Sequence, residues 1–234
     1  MLVLIFAISS AFASFLVSIY LLFRWSRQAP RNKSTLAWAL GLLLYSVSHV
    51  LIGIVSSNVY HLSARSGDLL IASRFFAGNI FFLFLFWGTI RLIVHRKWLV
   101  EGVSLGGFII ACLLVFLRHI LFQDYQSFLT FYSFSVLLPA SLIFTALFFI
   151  FYGVLIAESV KRRSGVILIA ISWVIYAVLA CLSPFISERS SYLWFAFRTF
   201  STLILLLGFI VMDREAKQAL SDLDGDKKFQ HHFK

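Results

Sequence analysis

Three residues stand out in a chain that is 61% apolar and only 13% charged: His49, Arg74 and Arg198, each inside a long hydrophobic run. An ionisable side chain at membrane depth is costly to bury, so each marks a candidate functional position. A guanidinium presents rigid pairs of N–H donors that match the two oxygens of a carboxylate or a phosphate. No Asp or Glu lies deep within these runs: Asp68, Glu101, Asp124, Glu158 and Glu188 fall at their ends or between them. The two arginines must therefore find backbone carbonyls, water or an incoming anion.

Helical spacing gathers polar and aromatic residues around these groups. Trp38, Gly41, Tyr45, Ser48 and His49 recur at intervals of three and four, as do Trp194, Arg198, Ser201 and Thr202. Ser10, Ser14 and Ser18 recur at four and form a small-residue face suited to close helix contact. Lipid offers such faces no hydrogen-bonding partner, so they are expected to turn into a bundle. The candidate ligand-binding set is Arg74, Arg198, His49, Tyr45, Ser48, Trp194, Ser201 and Thr202. A structural role competes with it: both arginines could snorkel to headgroup water, or pair with Asp68, Asp124 or Glu188 at the rim.

Most other chemistries fail for want of residues. None of the hydrophobic runs holds a lysine, which excludes a retinal Schiff base. No nucleophile with its base, no pair of buried aspartates and no His-Glu-x-x-His metal site occurs, so no enzymatic activity is expected. Proton pumping is disfavoured by the same lack of carboxylates. No cofactor is expected, with one alternative: His49 and His119 fall in the same leaflet and could serve as the two axial ligands of a haem. Cys112 and Cys181 have no zinc spacing and read as packing residues. His231-His232 reads as a frayed terminus.

What must position these groups is a set of membrane helices. A soluble chain of 234 residues could not hide this much apolar surface. Crossing a hydrocarbon core of about 30 Å takes roughly 20 apolar residues in a helix. Seven stretches qualify, near 2–23, 35–55, 69–94, 102–122, 128–157, 166–186 and 192–212. The fifth is long enough that it must tilt, bend at Pro139 or protrude. The fold class is all-α, with residues 1–212 as a seven-helix transmembrane bundle and residues 213–234 as a short polar cytoplasmic tail. In that tail Ala216, Leu220 and Leu223 continue the helical spacing, and Gly225 is expected to stop it.

Orientation follows from the basic residues. Arg24, Arg27, Arg31, Lys33, Arg91, Arg96, Lys97, Lys161, Arg162 and Arg163 flank the odd loops, whereas only Arg65, Arg118 and Arg189 flank the even ones. This bias puts the odd loops and the C-terminus in the cytoplasm and the N-terminus outside. The net charge of +10 is then an insertion signal and an attraction to anionic membrane lipid, not a nucleic-acid footprint. With no positive charge ahead of it and basic residues behind, the first run reads as a retained N-out helix. A faint echo relates Leu44-Tyr45-Ser46-Val47 to Ile175-Tyr176-Ala177-Val178, and Ser73-Arg74-Phe75-Phe76 to Phe197-Arg198-Thr199-Phe200. So few matches are read as coincidence.

A short basic first loop, Leu36-Ala37-Trp38-Ala39-Leu40-Gly41 followed by Tyr45, and a last helix running into Asp213-Arg214-Glu215-Ala216 form a recognisable pattern. It resembles the seven-helix membrane region N-terminal in many prokaryotic sensor kinases. The kinase or cyclase output part is missing, so the resemblance implies a stand-alone sensor or an accessory subunit acting through a signalling partner. The function expected is a receptor-like or accessory protein of a prokaryotic plasma (inner) membrane. It would bind a small anionic or lipid-like ligand in an outward-facing cationic and aromatic pocket. A transporter or channel for a small anionic solute is the alternative, and a haem-binding redox subunit the lesser one.

Overall fold

The computed structural model describes residues 2–28, 32–56, 83–91, 138–155, 164–182 and 191–231, with Ser73, Ala77, Ile80, Phe81, Trp98 and Gly102. These residues are helical or lie in short connections, and no strand occurs among them. Five helices have defined bounds: α1 (Leu2–Arg27), α2 (Lys33–Ser56), α3 (Leu138–Leu155), α4 (Ser164–Leu182) and α5 (Ser191–His231). Four of them (α1, α2, α4 and α5) contain apolar stretches long enough to cross a membrane. The fourth expected span, 102–122, lies outside the described residues save Gly102.

Local chemistry explains the ends. Asn32 caps α2 by accepting the amide of Ser34 through Oδ1 at 2.8 Å. Arg24 and Arg27 sit in the last turn of α1, where positive charge complements the helix dipole. Pro139 is the second described residue of α3. The bend expected at Pro139 involves residues 128–137 before it, which lie outside the described residues. Gly225 does not end α5, which continues to His231. One interior glycine costs a helix only about 1 kcal/mol relative to alanine. The helix-favouring run Glu215-Ala216-Lys217-Gln218-Ala219-Leu220 ahead of it offsets that.

The polarity of the bundle is inverted relative to a water-soluble fold. On α1 the exposed face carries Ile5, Ile8, Phe12, Phe15, Ile19 and Phe23, while Ser10, Ser14 and Ser18 are fully buried. On α5 the exposed residues are Leu193, Phe197, Phe200, Leu203 and Leu207, and the buried ones include Arg198, Ser201 and Thr202. Apolar outside and polar inside is the arrangement that lipid, not water, selects. The protein is a helical membrane protein.

The helices form a ring. α2 packs on α1, α1 on α5, α5 on α4 and α4 on α3. The helical residues 83–91 close the circle, with Gly88 against Trp38 of α2 and the ring of Phe86 5.3 Å from that of Phe144 on α3. Contact register gives direction. Ser18 donates to the carbonyl of Ala39 and Ser46 to that of Ala11, so α1 and α2 are antiparallel. Phe6 lies near Tyr192 and Tyr20 near Asp213, so α1 and α5 run the same way. One end of the bundle thus gathers Arg24, Arg27, Lys33, Arg91 and Arg214.

Two apolar clusters fill the interior. The larger one includes Val17, Leu21, Trp38, Leu42, Phe81, Phe149, Trp173 and Phe209. The smaller, near the opposite end, is built on Ala7, Ile52 and Phe195 with Val3, Phe6 and Trp194 packed against it. Between them lies a polar layer.

Candidate functional site

Arg198 is the centre of that layer. It sits two turns into α5, on the side facing α2, and is 1% exposed. The snorkelling role that its sequence position allows is therefore not the one it adopts. Nη1 donates to the hydroxyl of Tyr45 and also faces Nε2 of His49 at 3.5 Å. The guanidinium carbon stands 3.4 Å from the ring centroid of Trp194, one turn earlier on the same helix, and 5.5 Å from that of Tyr45. Cation–π attraction of this kind strengthens when water is excluded.

The histidine's protonation follows from its neighbours. His49 Nδ1 lies 2.9 Å from the carbonyl of Tyr45, which can only accept, so Nδ1 carries the proton. Nε2 meets a guanidinium that can only donate, so it is the bare nitrogen. His49 is thus a neutral acceptor, and its Nε2, the nitrogen a haem iron would take, is turned to Arg198. The ring also stacks near Trp194, with centroids 6.4 Å apart and planes 22° from parallel. His119 lies outside the described residues.

Tyr45, His49, Trp194 and Arg198 come together, and Ser48 is buried on the same helix as the first two. Ser201 and Thr202 are committed elsewhere. Ser201 and Ser172 of α4 each donate to the other's backbone carbonyl at 2.8 Å. Thr202 donates to the carbonyl of Arg198, which leaves Tyr176 to donate to the Thr202 hydroxyl. These bonds fasten α4 to α5 directly beneath the arginine. Arg74, the second expected guanidinium, lies outside the described residues. Cys181, read from the sequence as a packing residue, is exposed on the outer face of α4.

Tyr176 was not among the expected site residues, yet its ring lies 6.1 Å from that of Tyr45. The echo between Tyr45 and Tyr176 was the one signal that pointed to it. Phe195, whose ring meets His49 edge-on at 5.6 Å, and Phe81, 4.5 Å from Tyr45, complete the aromatic wall. A residue in a run of phenylalanines carries no mark in the sequence that singles it out.

One electrostatic fact dominates. Arg198 Nε and Nη2 are buried without a hydrogen-bond partner, and no carboxylate touches the guanidinium among the described residues. A buried charge lacking both countercharge and full hydrogen bonding is expensive. No group of three metal-ligating side chains occurs among the described residues. Comparison with protein-family models, with curated proteins and with solved structures finds no match to this chain.

Proposed function

We propose that this chain is a receptor-like or accessory protein of a plasma (inner) membrane that binds a small anion on Arg198. In this reading it crosses the membrane seven times, N-terminus outside and C-terminus in the cytoplasm. The parallel sense of α1 and α5 is what an odd number of crossings produces. The end that gathers Arg24, Arg27, Lys33, Arg91 and Arg214 suits the cytoplasmic side and its anionic lipid.

The observation that carries the proposal is the pair of buried donors on Arg198 with nothing to accept them among the described residues. An arginine cannot neutralise itself by losing a proton, so an anion is the natural complement. Arg74, which lies outside the described residues, is the second guanidinium that the sequence offers for this ligand. The sensing role rests on α5. The helix that holds Arg198 continues to His231, where a signalling partner would read it. On the way, Asp213 pairs with Arg24 at 3.0 Å and accepts from Tyr20, while Glu215 accepts the amides of Ser164 and Gly165. A shift of α5 is thereby felt by α1 and α4.

The test is anion-dependent thermal stabilisation of the purified protein, with flux measured in liposomes alongside. Stabilisation that is lost in Arg198→Gln and Arg74→Ala without solute flux supports a receptor. Flux abolished by the same substitutions replaces it with a transporter, and stabilisation unchanged in both removes the site.

A further inference from the structure

Resting on the anion-binding reading above, the geometry points to a narrower ligand: a small organic monocarboxylate with a flat apolar body, held side-on by the Nε–Nη2 edge of Arg198. The donor census selects the edge. A guanidinium has five N–H bonds, and the two on Nη1 are directed to Tyr45 and His49. The bonds on Nε and Nη2 remain, and both atoms are buried. Nε–H and one Nη2–H point the same way, forming the two-pronged fork that a carboxylate meets with two parallel hydrogen bonds.

Stacking fixes the direction of approach. Trp194 covers one face of the guanidinium at 3.4 Å, so a ligand on this edge lies in the guanidinium plane. Charge fixes the valence. His49 is a neutral acceptor and the tyrosines are uncharged, which leaves Arg198 as the one charge among the described residues of the site. A monoanion balances that one charge, whereas a phosphate monoester at about two negative charges would need a second cation beside it. The surroundings suit an apolar body: Trp194 lies on the guanidinium, and the ring of Phe195 packs on Trp194 at 5.0 Å.

The experiment compares sodium benzoate, acetate, inorganic phosphate and chloride at equal ionic strength on the full chain in detergent. Thermal midpoint and binding affinity are both read. Benzoate is expected to stabilise most and acetate less, with phosphate no better than chloride. Arg198→Lys keeps the charge but has no paired edge, and should weaken benzoate binding about tenfold or more while sparing the response to chloride. Should that variant not fold, the order of anions on the unaltered protein carries the test, and acetate or phosphate ahead of benzoate would overturn the inference. Phosphate stabilising where carboxylates do not would overturn this inference and leave the anion receptor standing. Benzoate binding equally to Arg198→Lys would overturn the side-on geometry, and no response to any anion would overturn both readings.

Discussion

Two charged residues of α5, Arg198 and Asp213, are held in opposite ways. Asp213 sits at the cationic end with its side chain 28% exposed, and both carboxylate oxygens are engaged, one by Tyr20 and the other by Arg24. Arg198, a little over four turns away, is 1% exposed, and among the described residues it touches no carboxylate and two of its nitrogens have no partner. The cheap position is fully satisfied and the costly one is not. A residue retained only for stability would show the reverse, since desolvation without pairing opposes folding. The difference separates a structural clasp from a group kept ready for a partner.

The largest effect is expected at the clasp end, from Gly165→Val. A β-carbon there would stand 2.5 Å from the backbone nitrogen of Met212 and 2.7 Å from its Cα. Backbone cannot swing aside, so α4 and α5 must part, at a cost at or above the ~3 kcal/mol upper end for overpacking. The midpoint of thermal unfolding in detergent reads it, and a fall comparable to a surface substitution would show that the two helices are not in close contact.

Next comes a pair of tyrosines. Tyr45→Phe strips Nη1 of an acceptor inside the bundle and should cost about 2 kcal/mol. Tyr20→Phe leaves Asp213 with Arg24 and water, and should cost less than about 1 kcal/mol. Equal losses in denaturant titrations would erase the contrast between the two ends.

Sign gives a sharper test than size. Without ligand, Arg198→Met removes an incompletely paired buried charge and should be neutral or stabilising by about 1 kcal/mol. Asp213→Asn should destabilise by under about 1 kcal/mol, the scale of a partly exposed pair. If Arg198→Met instead costs several kcal/mol, its N–H groups are satisfied in the folded protein and the ligand argument fails. The smallest effect is that of salt. Raising ionic strength should shrink the Asp213→Asn difference and leave that of Arg198→Met nearly unchanged, because exposed pairs are screened and buried groups much less so.

Much of the candidate site was legible from spacing alone. The faces carrying Tyr45, Ser48 and His49 on α2, and Arg198, Ser201 and Thr202 on α5, are all buried, because an α-helix puts residues three and four apart on one side. What each does on that side was not legible. Ser201 and Thr202 share the face of Arg198 yet spend their donors on carbonyls of Ser172 and Arg198. Those choices depend on how closely α4 approaches, which Gly165 and Gly208 permit. Cys181 shows the same limit from the other side: within an apolar run nothing local distinguishes a lipid-facing position from a packed one.

Composition and hydropathy, by themselves, determined that the chain is a bundle of membrane helices. Hydrophobic length and helical period are local quantities, readable one run at a time. Only the tertiary structure decided that α5 lies beside α1 and brings Arg198 to Tyr45 and His49, 153 and 149 residues away in sequence. It alone decided which nitrogens of the guanidinium are used and which are left over. The reason is physical: helix order is set by summed side-chain packing across the whole ring, a sum that no single stretch of sequence contains.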